Sequence, residues 1–594
     1  MSESIKNRFL IICVICSVVA GVVAIQMVRI QNIEGAEKIL AASENYQGVT
    51  RLIYPDRGSI YDARGRLMAG NETSYEIGLD LNSDRQPETI ASVAASVLGL
   101  DYAQVLGYAE MTAGGGNPYY IVLDDFVEKD KIAQLEIIKE DYESRVAKGN
   151  ETLPSLSGLL WTPHSQRSYP EGTLASNIIG FYSYLDRTGG AGYFGLEEAY
   201  NSQLSGTPRE VYIAFDPQRL STVEEVPPGV SLVLTIDREI QALTEQTLDD
   251  AIEWSGSESG TIVVYDPEDG SIISMATAPR LDPNEYWDYS TLFPNPNPYN
   301  SAISQTYEPG SVFKVLTMAA ALDSETVERD TMFNDTGSFF IGGATIYNWN
   351  RGGWGMVDMT ECLQHSLNVC MAWLATEMGP DTFYTYMRSF GLDRKTGIDL
   401  GGETSWPLKL PGDNQWYEVD LATNSFGQGI SLTPIQMVMA IGALANDGKM
   451  MAPHVVKSMI INNQQYVVDP IVVGTPIKAE TAHILTDMLV DSLQNEASNA
   501  LVDGYTVAGK TGTGEIATAL GYSSTETNAS FVGWGPAEDP KFLVYVWLEK
   551  PSISPWGSEV AAPIFSELVS KLVVLMDIPP DNIRMTDKMQ MTGQ

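Results

Sequence analysis

The alternation of apolar and polar positions divides this chain before any single residue is considered. Phe9 to Val28, "FLIICVICSVVAGVVAIQMV", carries no charge, and only Gln26 in it is strongly polar. Twenty residues at helical rise cover about 30 Å, the depth of a bilayer core, so a transmembrane helix is expected over residues 9–30. A cleaved signal peptide is the alternative, but its apolar stretch usually runs only ~7–15 residues. Lys6 and Arg8 precede the run, which predicts a cytoplasmic tail at residues 1–8 and an extracytoplasmic remainder.

Beyond the anchor the pattern turns mixed. "IQNIEGAEKILAASEN" reads as a polar helix, "YPDRGSIYDARGRLMAG" as short strands between turns, and "VEKDKIAQLEIIKEDYESRV" as a helix. Residues 31–215 therefore form an elongated α+β module with no visible repeat. At "VEEVPPGVSLVLTID" the pattern shifts, and Pro227, Pro228 and Gly229 introduce a strand from Val230 to Ile236. Ile240, Leu243, Leu248 and Ile252 then recur on one helical face. "GTIVVYDPEDGSIISMAT" predicts two strands about a tight turn, and "NASFVGWG" with "KFLVYVWLEK" predicts a hairpin. "APIFSELVSKLVVLM" closes the region as a helix. Strands at both extremities with helices between predict an α+β domain over residues 216–578, an antiparallel sheet covered by helices. Residues 579–594 remain as a tail.

Composition narrows the classes of function. The chain has 594 residues, 44% of them hydrophobic, ample for several domains. The 36 basic against 76 acidic residues leave a net charge of −40, which argues against a nucleic-acid partner. It also makes any lysine in a cleft conspicuous. The four histidines are scattered and no HExxH occurs, so neither a metal nor another cofactor is expected. Cys13 and Cys16 fall in the apolar run. Cys362 and Cys370, in "ECLQHSLNVC", lack zinc-type spacing, so they are expected as small core residues, with no disulfide framework.

Candidate chemistry lies in the second half. "YEPGSVFKVLTMAAAL" sets Ser311 three residues before Lys314, the one Ser-x-x-Lys in the chain. "SLN" supplies Ser366 and Asn368. Lys-Thr-Gly occurs twice, at Lys395 in loop-like sequence and at Lys510, where "YTVAGKTGTGEI" continues an apolar strand edge. Singly, each has a plainer role: a helix cap for Ser311, another for Ser366 and Asn368, a solvated strand end for Lys510. Together they describe a nucleophile with its base. Cleaving a peptide bond requires a nucleophile, a base and oxyanion stabilisation. Ser311 would open a helix behind Pro309 and Gly310, with Lys314 on the same face reaching its hydroxyl. A lysine is a base only when neutral, so burial and a second cation such as Lys510 would have to lower its pKa.

The order Ser311-x-x-Lys314, Ser366-x-Asn368, Lys510-Thr511-Gly512 resembles that of class B penicillin-binding proteins, with further likeness in "DRGSIYDARGRLMA", "RSYPEG", "GLEEAYNSQLSG", "FGQGISLTPIQM" and "SFVGWGPAEDPKF". "YEPGS" and "GQGISLTP" look more like the FtsI/SpoVD-like division branch than the elongation branch. Neither the glycosyltransferase motif of the bifunctional class A type nor C-terminal PASTA repeats are expected. The resemblance implies a β-lactamase-like catalytic domain on a pedestal or dimerisation module, and a peptidoglycan D,D-transpeptidase working through a Ser311 acyl-enzyme. It further implies backbone N–H groups of Ser311 and Thr513 as an oxyanion hole, and Ser366 as proton relay between Lys510 and the departing D-Ala amine. Asn368 would hold the substrate amide, and Thr511, Gly512 and Thr513 would line the terminal-carboxylate site. Implied partners are peptidoglycan stem peptides, β-lactams, a SEDS glycosyltransferase of the FtsW type with other divisome proteins, and the membrane. A D,D-carboxypeptidase or β-lactamase-type hydrolase, and a non-catalytic assembly factor or β-lactam sensor, are the alternatives. Arg57 and Arg167 are expected to pair between domains. Tyr347, Trp349 and Trp354 fit either a cleft wall or ordinary packing.

Overall fold

A computed structural model of the chain describes residues 3–31, 48–114, 118–146, 154–186, 189–214, 226–293, 299–496, 498–518 and 521–592. The polar helix expected after the anchor, and the stretch around residue 216, fall largely outside the described residues. Two compact units emerge, Met1–Pro55 with Gly206–Pro228, and Asp56–Ser205 with Gly229–Gln594. In the first, a helix runs Glu3–Gln31, and Gly48–Ile53 pairs antiparallel with Arg209–Ala214. Its segment Leu10–Arg29 has a mean hydropathy of 2.7 with none of its surface buried. Side chains this apolar and this exposed suit hydrocarbon rather than water, so the helix is a candidate membrane span.

The second unit is built on the five-stranded antiparallel sheet expected from the two extremities. In spatial order its strands are Ile272–Ala278, Ser259–Tyr265, Phe542–Glu549, Gly521–Gly535 and Ala508–Thr518. The period of two explains its burial on both faces. Ile262, Val264, Phe531, Val544 and Val546 pack against the helices Arg238–Ser255 and Gly557–Leu575. Val263, Tyr265, Val532, Tyr545 and Trp547 face the larger core, which includes the apolar helices Lys314–Asp323 and Pro434–Gly442. Strand and helix positions thus follow the apolar pattern, including Ile240 and Leu248, which are buried as expected.

A seven-stranded sheet carries the N-terminal part. The long strand Leu67–Asp80 pairs with both Tyr120–Val127 and Leu159–Ser168. The same sheet continues through Ile60–Tyr61, Ser231–Leu234, Val456–Ile461 and Gln464–Val467. Ile60–Tyr61 lies parallel to Ser231–Leu234, so segments far apart in sequence share one ladder. Arg57 and Arg167 meet beside it on one fully buried carboxylate, Glu197, at 2.6 and 2.8 Å. Burial pushes the Glu197 carboxyl up, but Arg167 and Arg57 outweigh it and hold the group below its usual range. Strand pairing and ion pairing together make one body of residues that the apolar pattern separated.

Candidate active site

Three backbone segments meet at Ser311. Pro309 and Gly310 lead into a 3-10 turn, Gly310–Phe313, which continues as the helix Lys314–Asp323. Gly310 has φ +59°, and a Cβ there would lie 2.6 Å from the Thr513 carbonyl oxygen. A Cβ on Gly427, at φ +82°, would lie 2.3 Å from the Gly310 oxygen. Glycine at both positions lets the turn, the edge strand and the "FGQG" loop touch through their backbones. Gly310 N–H donates to the Gly427 carbonyl at 3.1 Å, closing the junction. Ser311 is left partly exposed, whereas Lys314 is fully buried.

The second segment is the break between the helices Met359–Gln364 and Asn368–Met378. Asp358 and Glu361 form a capping box on the first. Ser366 then adopts φ +52°, a left-handed conformation that a non-glycine residue holds only under constraint. Cys362 and Cys370 bracket this turn and are joined in a disulfide. That corrects the expectation of two free core cysteines: the spacing of eight carried no pairing signal, and only the turn back through Ser366 brings them together. The cross-link also suits an extracytoplasmic location.

The edge strand Ala508–Thr518 completes the site, with Lys510 opposite Val532 and Gly512 opposite Ser530. A Cβ at Gly512 would lie 2.8 Å from Val312 Cγ1, so this glycine too admits the turn. Lys510 Nζ donates to Ser366 Oγ at 3.2 Å and to the Thr511 carbonyl at 3.2 Å. Lys314 Nζ lies within hydrogen-bond reach of three oxygens, the Ser366 carbonyl at 2.6 Å, Asn368 Oδ1 at 2.7 Å and Ser366 Oγ at 3.1 Å, and as a neutral amine it donates to two of them. One hydroxyl therefore bridges two amines. Burial first, and the Lys510 charge second, hold the Lys314 amine well below the usual lysine range. Burial lowers Lys510 to about 8, against the opposing pull of the Glu496 carboxylate. A neutral amine beside a retained cation is what general-base chemistry at neutral pH requires.

All eight residues singled out from the sequence converge here, with three differences of detail. Lys314 turns its amine to Ser366 and Asn368, and among the described residues the Ser311 hydroxyl makes no hydrogen bond. Asn368 is engaged at both ends of its amide, since Nδ2 donates to the Tyr347 carbonyl at 3.1 Å. Thr513 Oγ1 accepts from the Gly557 N–H at 3.1 Å, which ties the edge strand to the closing helix. The second Lys-Thr-Gly, at Lys395, lies in a loop away from the cleft-lining residues. A cleft of about 930 Å³ opens over Ser311, Ser366, Lys510, Thr511 and Thr513. Tyr347, Trp349 and Trp354 line it together with Trp556, resolving them as wall residues. Glu496 and Gly427 were not singled out from the sequence. Gly427 had a signal in the paired glycines of "GQG", whereas Glu496 had none, since its place near Lys510 depends on the fold alone. Among the described residues no group of His, Cys, Asp and Glu is arranged to hold a metal.

Comparison with known families gives the same picture. The penicillin binding protein transpeptidase domain matches residues 260–570, and the penicillin-binding protein dimerisation domain matches residues 52–231. The chain is a class B penicillin-binding protein. This penicillin-binding protein is 28% identical to stage V sporulation protein D of Bacillus subtilis, across 99% of the chain and 88% of that relative. It is 26% identical to the peptidoglycan D,D-transpeptidase FtsI homolog of Mesostigma viride, across 91% of both. It is also 26% identical to peptidoglycan D,D-transpeptidase MrdA of Acinetobacter baumannii, across 86% of the chain and 80% of the relative. Penicillin binding protein 2X from Streptococcus thermophilus superposes with a TM-score of 0.74 at 22% identity, over 89% of this chain and 80% of that one, showing the shared fold.

Proposed function

We propose that this penicillin-binding protein is a serine-type peptidoglycan D,D-transpeptidase that cross-links stem peptides through a Ser311 acyl-enzyme. The observation that carries the reading is the chain Lys314–Ser366–Lys510, in which a buried amine of lowered pKa shares a hydroxyl with a second amine. Lys314, neutral, takes the Ser311 proton as Oγ attacks the penultimate D-Ala carbonyl. The Ser311 and Thr513 N–H groups receive the oxyanion, a pair whose loss typically costs ~3 kcal/mol per donor. Ser366 passes the proton to the departing D-Ala amine, and the process reverses with an acceptor amine. Lys510, Thr511, Gly512 and Thr513 hold the terminal carboxylate, and Asn368 orients both Lys314 and the substrate amide. β-Lactams would acylate the same serine.

Labelling the full chain with a fluorescent penicillin tests this directly: wild type is expected to label and Ser311→Ala to stay dark. Labelling that survived the substitution would refute the nucleophile assignment. Counting cross-linked against hydrolysed product separates transfer from the carboxypeptidase and β-lactamase readings; penicillin labelling excludes an unreactive assembly factor, and turnover of a peptide donor excludes a β-lactam sensor.

Residues 9–30 would anchor the enzyme with residues 1–8 in the cytoplasm, Lys6 and Arg8 supplying the topological signal. Residues 31–215 would act as the pedestal and dock a SEDS glycosyltransferase among divisome proteins, and 216–578 would be catalytic, with 579–594 as a tail. A septal role is supported by the wording of "YEPGS" and "GQGISLTP". Depletion is expected to give filaments. Rounded cells would instead assign the enzyme to elongation.

A further inference from the structure

Thr511, Thr513 and Glu515 occupy alternate positions of the edge strand and all line the cleft, while Gly512 and Gly514 between them are buried. Period two accounts for this: the side chains of 511, 513 and 515 share one face. We infer that Glu515 is a specificity-determining residue that recognises the free side-chain amine of the diamino acid preceding D-Ala-D-Ala in the donor peptide. The inference rests on the transpeptidase reading above and extends it to the third residue of the stem.

Direction along the strand decides the assignment. A donor whose scissile carbonyl lies at the Ser311 and Thr513 N–H groups, with its carboxylate toward Lys510 and Thr511, must send its upstream residue the other way. That way leads to Glu515. Alternate residues of a strand lie about 7 Å apart, a distance spanned by one peptide unit and part of a diamino-acid side chain. The charges along the edge match those of the peptide, a cation at Lys510 for its anionic end and an anion at Glu515 for its amine.

The Glu515 carboxylate is also held in place. Gln428, on the loop that packs against Gly310, donates from Nε2 to Glu515 Oε2 at 3.0 Å across the cleft mouth. Nearby, Glu308 accepts from the Tyr522 hydroxyl at 3.2 Å, and the Gly429 N–H and this hydroxyl both act to stabilise its charged form. Burial raises the Glu308 carboxyl and Lys409 acts against that, so the charge that faces the cleft at this end is that of Glu515, while Lys510 sets the opposite sign at the other end. A merely solvated strand-end glutamate would carry none of this selectivity.

The test compares two depsipeptide donors with full-length protein in detergent, Nα-acetyl-L-lysyl-D-alanyl-D-lactate and its Nε-acetylated twin, with D-lactate release as readout. Wild type is expected to favour the free amine in kcat/KM by about five-fold, the size of one partly exposed ion pair. Glu515→Gln should bring the ratio to about one, and Glu515→Lys should invert it, as expected when a like charge faces the amine. A wild-type ratio of one, or a preference that persists in Glu515→Gln, overturns the inference. Benzylpenicillin, which carries no amine, reports separately whether the Ser311 nucleophile is assembled in each protein. Wild type acylated by neither penicillin nor either donor would instead bring down the transpeptidase reading, and this inference with it.

Discussion

Replacing Lys510 should move the pH dependence of acylation in a direction that the geometry fixes. Lys314 and Lys510 each place Nζ within 3.2 Å of Ser366 Oγ. The amines are therefore within about 6 Å of each other, where two unit charges at an effective dielectric of ~20 repel by about 3 kcal/mol, or about two pKa units. Lys314 acts as a base only when neutral, so acylation falls as pH drops through its lowered pKa. Above about 8 Lys510 loses its charge, and the hold on the substrate carboxylate goes with it. Wild type should show a bell with its alkaline limb near that value. In Lys510→Met the repulsion disappears, the Lys314 pKa rises, and the acid limb should move to higher pH by one to two units, ~2 at most because burial remains the larger cause. Lys510→Arg retains the charge, so its acid limb should stay in place while the alkaline limb near 8 vanishes. Stopped-flow acylation by benzylpenicillin, normalised for each variant, reads both limbs. An acid limb shared by Lys510→Met and wild type would refute the coupling of the two amines.

Three further substitutions probe the supports of the site. Gly310→Ala places a Cβ 2.6 Å from the Thr513 oxygen at a left-handed residue. It should slow acylation about 100-fold or more, as losing an oxyanion donor does; a change below about threefold would mean that turn and strand need not touch. Replacing both Cys362 and Cys370 by Ala removes a cross-link spanning eight residues. Chain entropy for such a loop predicts a loss of about 2.5 kcal/mol in denaturant unfolding, and an unchanged midpoint would show the cross-link to be idle. Arg167→Met leaves the buried Glu197 with Arg57 as its remaining cation. It should cost about 3–5 kcal/mol by calorimetry, and a loss below ~1 kcal/mol would show the pair to be dispensable.

Local pattern determined a good deal of this protein. Period two laid out the strands Ser259–Tyr265 and Phe542–Glu549, period 3.6 the helix Arg238–Ser255, and twenty uncharged residues the candidate span. These properties depend on neighbours within a few residues, so a linear reading reaches them. Three short motifs likewise announced Ser311, Lys314, Ser366, Asn368 and Lys510. Tertiary structure decided what those residues do to one another. That Lys314 turns from Ser311 toward Ser366 and Asn368, that Ser366 is left-handed between two cysteines that join, and that Glu496 acts on Lys510 all depend on how the chain folds back on itself, across 52 and 54 positions for Lys314 and across eight for the cysteines. The parallel pairing of Ile60 with Leu232 and the burial of Glu197 between two arginines belong with them. Hydrogen bonds and charge interactions act over a few ångströms of space, and which groups come that close is settled only when the whole chain has packed.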